Sequence, residues 1–123
     1  MRMIASLVAI VMWSAVAQET QFQVGLAEID ITPPVGYRMD GYFYERLNTG
    51  QRDPLKAKAV VFQQGATRAA LVVSDLLGMP QSMSGEVRAL AAKRTGIPAA
   101  NIAITATHTH GAALCRRAGA GLQ

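Results

Sequence analysis

The sequence predicts an α/β domain with a mixed sheet, in which a β-hairpin is followed by a right-handed βαβ unit. Three observations predict it. Two apolar runs, residues 55–62 and 68–75, flank a short loop containing Gly65, and runs so arranged read as a hairpin. A helical pattern follows over residues 84–95, where Met83, Val87, Leu90, Ala91 and Arg94 recur about every 3.6 residues. Residues 101–111 are then β-branched and apolar, as a buried strand requires. Strand, helix and strand in succession imply parallel strands joined by a crossover, and such crossovers are right-handed.

At the start of the chain, Met1-Arg2-Met3 supplies a short positive end and residues 4–16 are almost wholly apolar. Ala15-Val16-Ala17 is a small-residue cleavage signal. Residues 1–17 therefore read as a signal peptide, cut after Ala17, and the protein is expected to be secreted or periplasmic. The stretch is too short to span a bilayer, which takes about 20 apolar residues.

Residues 23–32 alternate loosely and form the first expected strand; Pro33-Pro34 ends it, because proline cannot donate to a ladder. No period runs from Tyr37 to Gln51. Gly36, Gly41 and Gly50 crowd there with Tyr37, Tyr42, Phe43 and Tyr44, which suits a long ordered loop whose rings cover the core. For the helix, Ser82 or Ser84 is the expected N-cap, with Glu86 in the first turn. Lys93 and Arg94 fall in the last turn, Gly96 is a natural stop and Pro98 prevents a restart.

The formal net charge is +4, with Arg2, Arg116 and Arg117 near the termini, so the body is close to neutral. No basic stripe interleaved with aromatics is present, and nucleic acid is not an expected partner. A single cysteine, Cys115, excludes an internal disulfide. Residues 115–123 show neither period nor apolar face and read as an unrelated tail, from a frameshift or a truncation, after a domain body of residues 18–114.

Both histidines lie at the end of the last strand. Side chains alternate along a strand, so His108 and His110 would share a face with backbones roughly 6.5 Å apart. Ligands in open α/β sheets gather outside the carboxyl ends of strands. The two rings suit two metal ligands, or one ligand and one substrate contact, and neutral imidazole suits zinc. Zinc takes three or four ligands, so rings merely bonded to carbonyls are the plain alternative. Asp75 ends the neighbouring strand at the same edge. Its carboxylate would orient an imidazole from behind or bond turn amides.

Five segments together carry a resemblance. They are Gly25-Leu26-Ala27-Glu28-Ile29-Asp30-Ile31-Thr32-Pro33, Gly41-Tyr42, Asp53-Pro54-Leu55-Lys56-Ala57-Lys58-Ala59, Val73-Ser74-Asp75-Leu76-Leu77-Gly78 and Ala106-Thr107-His108-Thr109-His110. In this order and spacing, from about Val24 to His110, the chain resembles the amino-terminal part of the neutral (non-lysosomal) ceramidase family. Members of that family are secreted or surface zinc amidases that cut ceramide into sphingosine and a fatty acid. The resemblance implies a Zn2+ cofactor with His108 as its first ligand, and a lipid amide as substrate. It makes His110 a catalytic residue touching the substrate or its developing oxyanion. Gly41 falls where the family brings backbone close to the substrate head group.

After the second histidine the family continues with Ser and a small residue before Pro, whereas this chain has Gly111-Ala112-Ala113-Leu114. The family's remaining ligands and its catalytic serine lie further on. The expectation is thus a fragment of a larger layered α/β domain, with an incomplete catalytic set and no activity alone. Two other readings compete. One is a small secreted module that binds metal or a partner without catalysis, with Cys115 completing a His-x-His…Cys site. The other is a lipid-binding surface that uses the aromatic loop, in peripheral contact with a membrane.

Overall fold

A computed structural model describes residues 21–113 and Cys115. The expected signal peptide, and the expected tail apart from Cys115, lie outside the described residues. Four strands form one mixed sheet in the order β1-β2-β3-β4. β1 (Phe22–Asp30), β2 (Lys56–Gln64) and β3 (Thr67–Ser74) are antiparallel neighbours, and β4 (Ile102–Ala106) lies parallel to β3. The hairpin and the strand-helix-strand unit are both present. β2 and β3 close on Gln64 and Thr67, so the hairpin loop has only two residues.

The helix, α1 (Gln81–Thr95), starts three residues earlier than its apolar pattern suggested. Pro80 occupies the cap position and no side chain caps the end, so neither Ser82 nor Ser84 serves there. The Ser84 hydroxyl donates instead to Gln81 O at 3.0 Å. Glu86 falls beyond the first turn as a result, whereas Lys93 and Arg94 do sit in the last. The stop is as expected. Gly96 adopts φ 70°, a left-handed value that costs glycine little, and its N–H bonds Ala92 O.

The helix covers only part of the stripe its spacing indicates. Met83 and Ala91 of that stripe are half-buried, as are Ser84, Gly85, Arg88 and Ala92, whereas Val87, Leu90 and Arg94 are exposed, Leu90 by 53%. On the sheet, Ile102, Ile104 and Ala106 share a face with Ala70, Val72 and Ser74. That face is the covered one, with Ile102 and Ser74 fully buried. The buried apolar residues among the described residues are Pro33, Ile97, Ile102 and Ala112.

The opposite face is open. Phe22, Val24 and Leu26 of β1 lie there beside Phe62 of β2 and Leu71 of β3, all exposed, Leu26 by 81%. Phe22 and Phe62 stack with centroids 6.1 Å apart. Every residue of β1 is exposed, and its outer edge has no strand partner among the described residues. An uncovered apolar face beside an unpaired edge favours association. The 123-residue chain is therefore expected to be marginally stable or to aggregate; a cooperative circular-dichroism melt above ~55 °C, ordinary for a mesophilic domain, would contradict this.

Candidate functional site

β4 stops at Ala106, four residues short of His110, so strand alternation does not place the two rings. His108 instead has φ 64°. This left-handed conformation is uncommon outside glycine, though His tolerates it better than β-branched residues do. The turn is tied to the end of β3 by Thr107 N–H to Ser74 O at 3.0 Å and Thr109 N–H to Leu76 O at 3.1 Å. The rings still meet. Their centroids are 5.4 Å apart, edge to face.

Each imidazole is held through Nδ1. His108 Nδ1 lies 2.9 Å from Leu77 O, and His110 Nδ1 lies 2.9 Å from Gly41 O. A carbonyl only accepts, so each Nδ1 carries the proton. In the neutral ring the lone pair is then on Nε2, the tautomer that metal-binding histidines adopt when a backbone carbonyl orients them. Two imidazoles bound tetrahedrally to one ion, by bonds of about 2.0–2.1 Å, would place their centroids about 5 Å apart. The observed spacing fits such a pair. It does not complete a site, since no third His, Cys, Asp or Glu joins them among the described residues.

Gly41 touches His110 directly. Its φ is +88°, and a Cβ there would lie 2.5 Å from His110 Nδ1. Only a residue without a side chain lets the 37–51 loop bring its carbonyl to the ring. The loop is itself well fastened. Met39 N–H donates to Arg46 O at 2.8 Å and Asp40 N–H donates to Ala112 O at 3.0 Å. Asn48 is only 7% exposed, and its side-chain amide donates to Pro33 O at 2.9 Å and Pro34 O at 3.3 Å. Its Oδ1 accepts from Gly50 N–H at 3.0 Å. The Asn48 main chain closes on Gly36 N–H and Tyr37 O, both at 2.8 Å.

Asp75 reaches the expected edge but not an imidazole. Its Oδ2 accepts from Lys56 N–H at 2.9 Å and its Oδ1 from the Thr107 hydroxyl at 3.1 Å. The carbonyl of Leu77, already beside His108, takes the orienting bond instead. Asp75 thus fastens the residue preceding His108 rather than the ring. Cys115 does not complete the alternative His-x-His…Cys site. Burial, and then the nearby Asp40 carboxylate, push its thiol above the ordinary value.

The loop aromatics do not simply cover the core. The Tyr42 ring stands edge-on to His110 at 5.9 Å, contacts Tyr44 at 6.0 Å and carries the Arg46 guanidinium 4.6 Å above it. Phe43 is fully exposed. Sequence reasoning does not single out Asn48, Thr107 or the Tyr42–His110 contact; only Asn48 carries a local signal, as an asparagine two residues before a loop glycine. A concavity of about 560 Å³ over Gln23, Gly25 and Val61 lies on the sheet and is lined by no reactive group.

No family model matches the chain, and no curated protein matches it in sequence. Solved structures do match. Neutral ceramidase from Pseudomonas aeruginosa matches 78% of this chain with a TM-score of 0.67 and 30% identity. A ceramidase complexed with C2 matches 77% of it with a TM-score of 0.64 and 29% identity. This chain spans 16% of the length of each. The four-stranded α/β unit is thus similar in fold, at 29–30% identity, to part of neutral ceramidase.

Proposed function

We propose that this chain is the amino-terminal portion of an exported, zinc-dependent amidase of the neutral-ceramidase type, directed at the N-acyl bond of a ceramide-like lipid. The observation that carries the reading is the similarity to neutral ceramidase over most of the chain. The tautomers of the histidine pair support it chemically.

Zinc, when bound, supplies a Lewis acid that polarises the amide carbonyl or acidifies a water. His108 would hold it through Nε2, with the Leu77 carbonyl fixing the ring. His110 is free to exchange a proton at Nε2, because Gly41 O keeps the Nδ1 proton in place. In its neutral form it accepts from a substrate N–H or hydroxyl. Once protonated, it donates to the carbonyl oxygen as negative charge develops there. Gly41 lets the lipid head group approach backbone without a side chain between them. Two imidazoles do not make a zinc coordination set, so the 123-residue chain alone is expected to be inactive.

Zinc affinity, measured by competition with a chromophoric chelator in a protein that carries the remaining ligands, tests the site. Asparagine also tolerates a left-handed φ, so His108→Asn removes the ligand without penalising the backbone. It is expected to weaken zinc binding at least about tenfold, the effect of losing one good interaction. Affinity equal to that of the parent would sink the proposed ligand. Reading the genomic DNA past codon 115 in all frames tests the family. A further histidine, glutamate, tyrosine and serine in an open frame would support the amidase, and a stop in every frame would favour a non-catalytic module.

A further inference from the structure

We propose that the loop of residues 37–46 is a docking surface for a lipid bilayer, which holds the histidine pair against the membrane face. The inference deepens the lipid-amidase reading and rests on it for the substrate.

Four observations carry it. Phe43 has a relative exposure of 109%, more than an extended chain would give it. The loop is not loose, because Met39, Asp40 and Asn48 pin its backbone, so the ring is held out in water by ordered structure. Tyr44 next to it in the chain is also exposed, as is Tyr37 at the base of the loop. Amphipathic rings of this kind concentrate where hydrocarbon meets head groups. Arg46 lies over Tyr42, 4.6 Å from the ring centroid, and makes no salt bridge to a carboxylate of the described residues. A cation beside exposed aromatics complements lipid phosphate. Finally, Tyr42 contacts both Tyr44 and His110. A bilayer engaged by Phe43 and Tyr44 would therefore lie one ring away from the candidate site. A lipid amide would then reach that site without crossing water.

The open sheet face offers a rival surface, and the experiment separates the two. The chain from Gln18 onward, freed of the expected signal peptide and with it of its one tryptophan, Trp13, carries Phe43→Trp, which reports from the loop tip. Vesicles of phosphatidylcholine, with and without phosphatidylglycerol, contain no ceramide, so docking is read independently of zinc binding or hydrolysis. The expected result is a blue shift of the reporter's emission and its quenching by brominated acyl chains. Without the reporter, Phe43→Ser with Tyr44→Ser should weaken vesicle partitioning roughly tenfold. Arg46→Gln should weaken it roughly fivefold on anionic vesicles only. Leu26→Ser with Phe62→Ser, on the sheet face, should leave the loop-tip emission shift unchanged. An unshifted, unquenched emission would overturn the proposal, as would partitioning that only the sheet-face pair reduces.

Discussion

Replacing Gly41 with alanine is expected to displace the His110 ring and to destabilise the loop that carries it. Two costs add. A side chain at φ +88° lies in the left-handed region, a penalty of roughly 1–2 kcal/mol. The new Cβ would also stand 2.5 Å from His110 Nδ1 and 2.8 Å from its Cγ, so the ring must move away. Moving it breaks the bond to Gly41 O, worth about 0.5–1.5 kcal/mol net. The sum, on the order of 2–3 kcal/mol, is a large fraction of a small domain's stability. Imidazole nitrogen spectra would show it: the fixed Nδ1–H tautomer of His110 is lost, while His108, held by Leu77 O, keeps its own. A His110 signal identical to the parent's would contradict the contact.

Asn48→Asp is expected to be more damaging than Asn48→Ala, although aspartate is nearly isosteric. In the parent, the amide Nδ2 donates to Pro33 O and Pro34 O. A carboxylate has no proton to give and would set a charged oxygen against two carbonyls at a site only 7% exposed. Burial of an unpaired charge outweighs the single bond aspartate retains with Gly50 N–H. Alanine only deletes the donors, at about 1–3 kcal/mol, whereas aspartate is expected to cost about 3–5 kcal/mol. Chemical denaturation of the two variants reads the order directly, and equal midpoints would refute the assigned amide orientation. Since Asn48 closes the loop that holds Gly41, both variants should also loosen His110.

Much of the fold is written locally. The apolar runs on either side of Gly65 define a hairpin because alternation and a turn residue act over a few positions. Gly96 followed by Pro98 ends the helix for the same reason. The parallel placement of β4 beside β3 follows from the strand-helix-strand order. The helix face is different. Met83, Val87 and Leu90 mark the most apolar stripe, yet only Met83 of the three is half-buried, while Val87 and Leu90 stay exposed. Which part of a stripe is covered depends on how another element lies against it, and spacing within one element carries no record of that.

The site divides the same way. His108 and His110 stand out in the sequence, since two imidazoles at the end of a strand leading to a glycine are a compact chemical signal. Their geometry does not come from alternation, because the strand ends first and His108 turns into the left-handed region. Residues far along the chain decide it: Leu77 is 31 positions from His108, and Gly41 is 69 from His110. From residue order alone came the strands, their succession and the identity of the two rings, all consequences of local backbone preference and apolar period. Only the tertiary structure decided which nitrogen each ring turns outward, because that depends on a backbone carbonyl arriving from another part of the fold, and long-range hydrogen bonds leave no period in a sequence.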